Sequence, residues 1–395
     1  MRPILDAGAT SESFAKFETR LGPCALAWNE RGISAVFLPD KSPAALVRRV
    51  RERREGVVER EPDARARAAI DAMRALVDDG SADLSAIALD LRGIPPFHQR
   101  VYEAARKIAP GETRTYGALA ESLSSPGASR AVGQAMQKNR FPIVVPCHRV
   151  LASDMKLGGF SAEGGVETKL RMLSRERDAM LSKKSPGTFA FDPTAAVEHL
   201  KSSDKKLRAL IERVGPFAMR LDPTPSVFFA VARAIAFQQL TGSAAETIWT
   251  RVCALFPFDV AGPSPALVAR ASDEKLRGAG LSTAKTAAIK DLAKKCADGS
   301  VPSLAALSKL SDEEVIERLT NVRGVGRWTV EMMLMFRLGR GDVWPVDDYG
   351  VKKGFARTFG GELPSKAEMT ERAAKWAPYR SVASWYLWRA NDLDA

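Results

Sequence analysis

Residues 22–38 alternate apolar and polar positions about Asn29-Glu30-Arg31-Gly32, which predicts a β-hairpin. Residues 41–80, rich in Arg, Glu and Ala, repeat their apolar positions at helical spacing. Ile87–Leu91 reads as a further short strand before a break at Gly93, Pro95 and Pro96. From Phe97 the period is again helical, with short breaks, up to an apolar segment at 143–150. Apolar periodicity is lost over 174–192, and the linker is placed at 179–192. Beyond it helices are predicted at 227–239, 244–255, 284–296, 312–319, 327–337 and 366–376. The chain is therefore expected to be multidomain, α+β in its first half and all-α in its second. A small α+β subdomain is assigned to 1–94, a helical domain to 95–178 and the all-α half to 193–395.

At 395 residues the chain exceeds one ordinary core, in keeping with several domains. A net charge of +12 points to a polyanionic partner, nucleic acid or an acidic membrane surface. Sequence motifs have to separate the two. The four cysteines, Cys24, Cys147, Cys253 and Cys296, form no CxxC pair, which excludes a zinc ribbon or a four-cysteine iron–sulfur cluster on spacing. No metal is expected. No apolar run is long enough to span a bilayer, and the N-terminus lacks a signal-peptide core.

The chemistry begins at Phe141-Pro-Ile-Val-Val-Pro-Cys-His-Arg-Val150, where Cys147 follows a proline and precedes His148 and Arg149. Only the thiolate is a strong nucleophile, and basic or cationic neighbours favour it, so Cys147 reads as an activated thiol. Neighbours on a strand face opposite ways, so Cys147 and His148 can cooperate only if the chain turns at Pro146. Upstream, Thr115–Leu123 and Ala128–Lys138 have helix-turn-helix spacing around Ser124-Ser-Pro-Gly127. Over 101–150 seven Lys/Arg stand against three Asp/Glu.

With Gly111-Glu-Thr-Arg-Thr-Tyr-Gly117, Ser129-Arg-Ala-Val-Gly-Gln-Ala-Met136, Asn139 and Pro146-Cys-His-Arg149, residues 1–176 resemble the O6-alkylguanine-DNA alkyltransferases (methylated-DNA–protein-cysteine methyltransferases). Phe97–Glu176 carries the specific part. The resemblance implies a ribonuclease-H-like subdomain over 1–94 and an alkyltransferase DNA-binding and active-site domain over 95–178. It implies that Cys147 accepts the alkyl group of a flipped-out guanine, once and stoichiometrically. His148 would be a water-assisted base oriented by Glu176. Tyr116 would rotate the nucleotide and protonate the departing oxygen, Arg130 would fill the duplex gap, and Asn139 would hold the turn before the active-site segment. Phe160 stands where the family usually has Tyr, and Ser161 after it would donate to the guanine oxygen. Extruding a base costs a few kcal/mol, which an intercalated Arg130 partly offsets.

The second half holds Leu319-Thr-Asn-Val-Arg-Gly-Val-Gly-Arg-Trp-Thr-Val-Glu331, a Gly-x-Gly turn between helices whose amides can approach a phosphate. Pro345-Val-Asp-Asp-Tyr349 follows after an apolar helix. With Ala236-Phe-Gln-Gln-Leu240 and Lys375-Trp-Ala-Pro-Tyr-Arg-Ser381, residues 192–395 resemble the helix-hairpin-helix DNA glycosylases of the 3-methyladenine glycosylase II type. The resemblance implies Asp348 as the catalytic carboxylate, Asp347 as a helix cap, and Gly324, Gly326 and Arg327 on DNA. Trp328 and Trp388 would form a base pocket for cationic alkylated purines. Trp328 stands where strand-cutting relatives carry a lysine and cannot form a Schiff base, so a monofunctional hydrolase is implied.

The expectation is thus a bifunctional alkylation-repair fusion: alkyl transfer from O6-alkylguanine to Cys147, and hydrolytic excision of alkylated purines through Asp348. Its partner is double-stranded DNA with alkylated bases. No membrane or small-molecule cofactor is expected beyond a monovalent cation that the hairpin could hold, and the protein is expected to be monomeric. Its place would be the cytoplasm and nucleoid of a bacterium, or a eukaryotic nucleus. The alternative is an alkylation-sensing DNA-binding regulator with only one of the two activities, although no zinc-cysteine module accompanies it.

Overall fold

A computed structural model describes residues 12–80, 82–160, 164–184 and 188–393. The chain divides into two compact units, one of residues up to Met180 with Thr250–Val260, the other of Leu181–Trp249 with Ala261 onward.

In the first unit four strands, β1 (Ser13–Phe17), β2 (Cys24–Asn29), β3 (Gly32–Phe37) and β4 (Val58–Glu59), form a sheet in the order β3-β2-β1-β4. The expected hairpin is β2–β3, antiparallel from Ala25↔Phe37 to Asn29↔Gly32. Its alternation is one of large and small side chains rather than apolar and polar, because both strands are buried on both faces. Leu26, Trp28 and Val36 join the core that also holds the helix Ala64–Asp79. Ala25, Ala27, Ala35 and Phe37 pack with Leu46 and Val50 of the helix Pro43–Arg53. Small residues on that face let the helix approach closely. Ile87–Leu91 is not a strand but one bridge, Ile33↔Leu89, bounded by turns at 85–86 and 92–93.

The helical part of this unit contains Pro96–Arg106, Tyr116–Ser122, Ser129–Gln137 and the long helix Gly165–Lys184 as far as Met180. The middle two match the expected helix-turn-helix, with Thr115 Oγ1 capping the first by accepting from Ala118 N at 3.1 Å. The apolar run before Cys147 is irregular, with only Val150–Leu151 pairing in parallel with Arg114–Thr115.

The helix Gly165–Lys184 corrects the expectation at 174–192: helix runs to Lys184, into the span assigned to the linker. Leu170, Met172 and Leu173 are buried on its first half beside Lys169, but from 174 on the buried positions with described side chains are Glu176 and Arg177, so there the face that points inward is charged. Apolar periodicity fails where polar groups face the core, and the helix was hidden for that reason.

The second unit is all helical among its described residues. Val227–Phe237, Gly242–Ala254, Thr283–Ala297, Asp312–Thr320 and Arg327–Phe336 lie within about two residues of expectation, and Lys366–Ala373 continues as the 3-10 turn Ala374–Trp376. One core gathers Trp344, Phe355, Phe359, Trp376 and Leu387. Within it the helices Tyr349–Phe359 and Arg380–Ala390 touch closely: a Cβ on Gly354 would lie 1.8 Å from the Leu387 carbonyl oxygen. That approach brings the start of the first helix beside Trp388 of the second. Among the described residues no helix is long and apolar enough to cross a membrane.

Candidate active sites

The first site is built where the chain turns after Pro146 (φ −79°, ψ 66°) into the 3-10 turn Cys147–Arg149. Asn139 holds the approach. Its Nδ2 donates to the Val145 carbonyl at 2.9 Å, and its Oδ1 accepts from Phe141 N at 2.9 Å. His148 is fully buried, and its Nε2 lies 2.8 Å from Glu176 Oε1. Glu176 also accepts from Arg149 Nε at 3.0 Å, Arg149 Nη2 at 2.8 Å and Gly111 N at 3.2 Å. Gly111 adopts φ +83°, which favours glycine, and a Cβ there would press Met180 Cβ at 3.0 Å.

The electrostatics follow from these contacts. Burial pushes the Glu176 carboxyl up, but His148 and the Arg149 guanidinium outweigh it and hold the group at about 2. Burial pushes His148 down more than Glu176 pulls it up, so the imidazole is neutral. The two directions are compatible because Arg149 supplies the cation that keeps the carboxylate ionised. An ionised carboxylate beside Nε2 keeps the imidazole proton there, and His148 Nδ1 remains an acceptor. That nitrogen is buried and has no hydrogen-bond partner among the described residues.

Cys147 departs from the expectation of a thiol activated by its neighbours in sequence. Burial raises its pKa, and the lowering effects come from the Asn139 side chain, Lys169 and local backbone amides. Arg149 is spent on Glu176 and on the Ile108 carbonyl, 2.6 Å away. The resting thiol is therefore protonated and needs a base. Lys169, missed in the sequence, is fully buried, donates to the Val150 carbonyl at 2.7 Å, and is pushed down to about 8 by burial. A lysine inside a helix carries no sequence signal of such burial.

Cys147 opens onto a cavity of about 350 Å³ lined also by Tyr116, Gly133, Met136, Gly159 and Phe160. Burial keeps the Tyr116 phenol above its ordinary pKa, so it stays a proton donor. Arg130 is exposed on the helix Ser129–Gln137. Ser161 lies outside the described residues.

The second site is centred on Asp348, which is the N-cap of the helix Tyr349–Phe359. Its Oδ1 accepts from Val351 N at 2.8 Å and from Trp388 Nε1 at 2.7 Å, and its Oδ2 accepts from Trp328 Nε1 at 2.9 Å. The capping role expected of Asp347 thus belongs to Asp348. Asp347 points outward to Lys366 Nζ, 2.7 Å away, because only one residue of the pair can aim at the first amides of the helix. Trp388 packs on Phe336, with ring centroids 5.6 Å apart. Gly350 lies beneath it, where a Cβ would fall 2.8 Å from Trp388 Cδ1 and 3.1 Å from Asp348 Oδ1. Phe336 and Gly350 escaped the sequence reading because nothing in their spacing marks them.

The hairpin joins Asp312–Thr320 to Arg327–Phe336. Gly324 has φ +74°, and its carbonyl accepts from Gln238 Nε2 at 3.0 Å. Gly326 is the N-cap of the second helix, with no side chain covering its first amides. Arg327 donates to Glu331 Oε1 and to Glu313 Oε2, both at 3.0 Å. It clamps the two hairpin helices together in this structure. Trp328 next to it is 46% exposed, open enough to meet a base.

Comparison with known proteins finds relatives for both halves of the chain. Residues 232–379 match the HhH-GPD superfamily of base excision DNA repair proteins. The alkylbase DNA glycosidase-like protein mag2 of Schizosaccharomyces pombe is 33% identical over 203 residues, 51% of this chain and 95% of that protein. The chain belongs to the HhH-GPD superfamily. DNA-3-methyladenine glycosylase 1 of the same yeast is 34% identical over 51% of this chain and 88% of its own length. This HhH-GPD protein is at the same time a fusion, because residues 96–178 match the 6-O-methylguanine DNA methyltransferase DNA binding domain. A methylated-DNA–protein-cysteine methyltransferase of Mycolicibacterium paratuberculosis is 50% identical over 91 residues, 23% of this chain and 53% of that relative. The chain thus spans about half the length of that methyltransferase.

Proposed function

We propose that this protein repairs alkylated DNA by two independent chemistries: transfer of an alkyl group from O6-alkylguanine to Cys147, and hydrolytic release of alkylated purines at Asp348. The observation that carries the first is the buried His148, with Nε2 on Glu176 and Nδ1 unpartnered. Through a water, Nδ1 takes the thiol proton, and Glu176 steadies the resulting imidazolium. The thiolate attacks the alkyl carbon, the carbon–O6 bond breaks, and Tyr116 protonates the leaving guanine oxygen. A thioether is a poor leaving group, so the reaction runs once per protein.

In the second unit the geometry supports Asp348 as the group that stabilises positive charge on the sugar while the glycosidic bond breaks. Its carboxylate is aimed by two indole N–H groups and a helix amide, beside aromatic faces suited to a cationic purine. Trp328 offers no amine, so release ends at an abasic site. The basic chain and the uncapped hairpin amides suit duplex binding through phosphates, with Arg130 and Asn139 serving base extrusion.

The test uses the full-length protein and two substrates. Labelled methyl from O6-methylguanine DNA should appear on Cys147 and be absent with Cys147→Ala, which should still excise 3-methyladenine. Asp348→Asn should do the reverse. Either activity persisting in its own variant overturns that assignment.

A further inference from the structure

A second and larger chamber, of about 730 Å³, meets the thiol from another side. It shares Met136, Gln137, Cys147 and Phe160 with the 350 Å³ cavity that contains Tyr116. Both fall in the size range of small-molecule sites. A guanine seated by Tyr116 with O6 toward the sulfur would leave its O6 substituent at the boundary between the two spaces. The reacting carbon needs only the boundary, so a methyl group leaves the chamber empty and a longer substituent must enter it.

The chamber's lining is unusual in its charge. Arg49, Arg53, Arg54, Lys138 and Arg140 line it, together with His98, and no Asp or Glu does. Arg49 is matched by Asp40 at 3.1 Å, and Arg54 by Glu12. No ion pair of the described residues engages Arg53, Lys138 or Arg140. These unmatched cations come from two places far apart in sequence, the end of the helix Pro43–Arg53 and the turn after Ser129–Gln137. The Val36 amide donates to the Arg140 carbonyl at 2.8 Å, tying the sheet to that turn.

We infer that this chamber selects O6-alkylguanines whose alkyl chain ends in a negative charge, a carboxylate above all. The inference rests on Cys147 being the alkyl acceptor and adds a substrate class to it. The chemistry balances as for methyl: the sulfur–carbon bond forms, the carbon–O6 bond breaks with its electron pair passing to guanine, and the terminal carboxylate stays unchanged as a spectator. The cations act on the far end of the chain, where the neutral isostere offers nothing to attract.

The test measures single-turnover transfer by the full-length protein from duplexes carrying O6-methylguanine, O6-(4-carboxybutyl)guanine or O6-(4-carbamoylbutyl)guanine. The two longer chains are nearly isosteric, and their end groups are too remote from the reacting carbon to alter its reactivity. With three exposed cations on the order of 10 Å away, the carboxylate should react roughly twofold faster than the amide at physiological salt and up to about eightfold faster at low salt. Added salt should shrink that ratio, Arg53→Glu should bring it most of the way to one, and Arg53→Lys should restore it, all with the methyl rate unchanged. Equal rates for the two isosteres, or a ratio indifferent to Arg53→Glu, overturns the inference. So does an equal slowing of all three substrates by Arg53→Glu, which would assign the chamber to the DNA backbone. Failure of the wild-type protein to accept methyl at all would instead refute the underlying assignment of Cys147.

Discussion

Replacing Glu176 by Gln removes one charge from a site with almost no access to water. The carboxyl is displaced from its ordinary 4.5 to about 2 and is 2% exposed, so solvent screens little of the effect. With His148 neutral at pH 7, the share owed to Arg149 and the hydrogen bonds remains, on the order of 2 kcal/mol of folding stability. Because the folded-state value is depressed, the contribution is complete above about pH 4.5 and disappears as pH falls through about 2. Glu176→Gln should therefore lose on the order of 2 kcal/mol at pH 7 and progressively less toward pH 2. The substitution should also disturb His148. An amide N–H facing Nε2 places the imidazole proton on Nδ1, the nitrogen that should accept from the thiol side. Methyl transfer should slow by about 100-fold or more. Urea unfolding across pH, read beside single-turnover transfer, measures both, and excision of 3-methyladenine by the same preparation reports whether the other unit is intact. A variant within 1 kcal/mol of wild type that transfers methyl at the normal rate would refute the charge network described here.

Lys169→Met removes a buried cation that lowers the Cys147 pKa, so the thiol should titrate at higher pH in iodoacetamide alkylation and methyl transfer should slow several-fold. The same variant should not lose stability below pH 8, because the Lys169 ammonium, depressed by burial to about 8, is costly to keep charged there; thermal unfolding checks this. Gly350→Ala should drive a methyl group into Trp388 and Asp348 and cut base excision by at least tenfold, with alkyl transfer to Cys147 preserved. Arg327→Gln should weaken the clamp between the hairpin helices more than it weakens contact with DNA. The melting temperature of the second unit should then fall, with little change in the salt dependence of DNA binding.

What the amino-acid order determined was local. The helix-turn-helix, the hairpin glycines, the helix starts and the Pro-Cys-His-Arg run could all be read, because turn chemistry and apolar period act over a few residues. Their distinctiveness also carried the resemblance to two repair families. Partnership between distant groups could not be read. Nothing around Lys169 says that it will be buried near Cys147, and the charged inner face of the second half of Gly165–Lys184 disguised a helix as a linker. Asp347 and Asp348 are chemically identical in sequence, and the direction of one helix start sends one to solvent and the other to two tryptophans. Sequence sets which groups are present. Only packing sets their dielectric surroundings and mutual distances, and on those depend whether a thiol ionises, which histidine nitrogen is free, and which carboxylate faces a base.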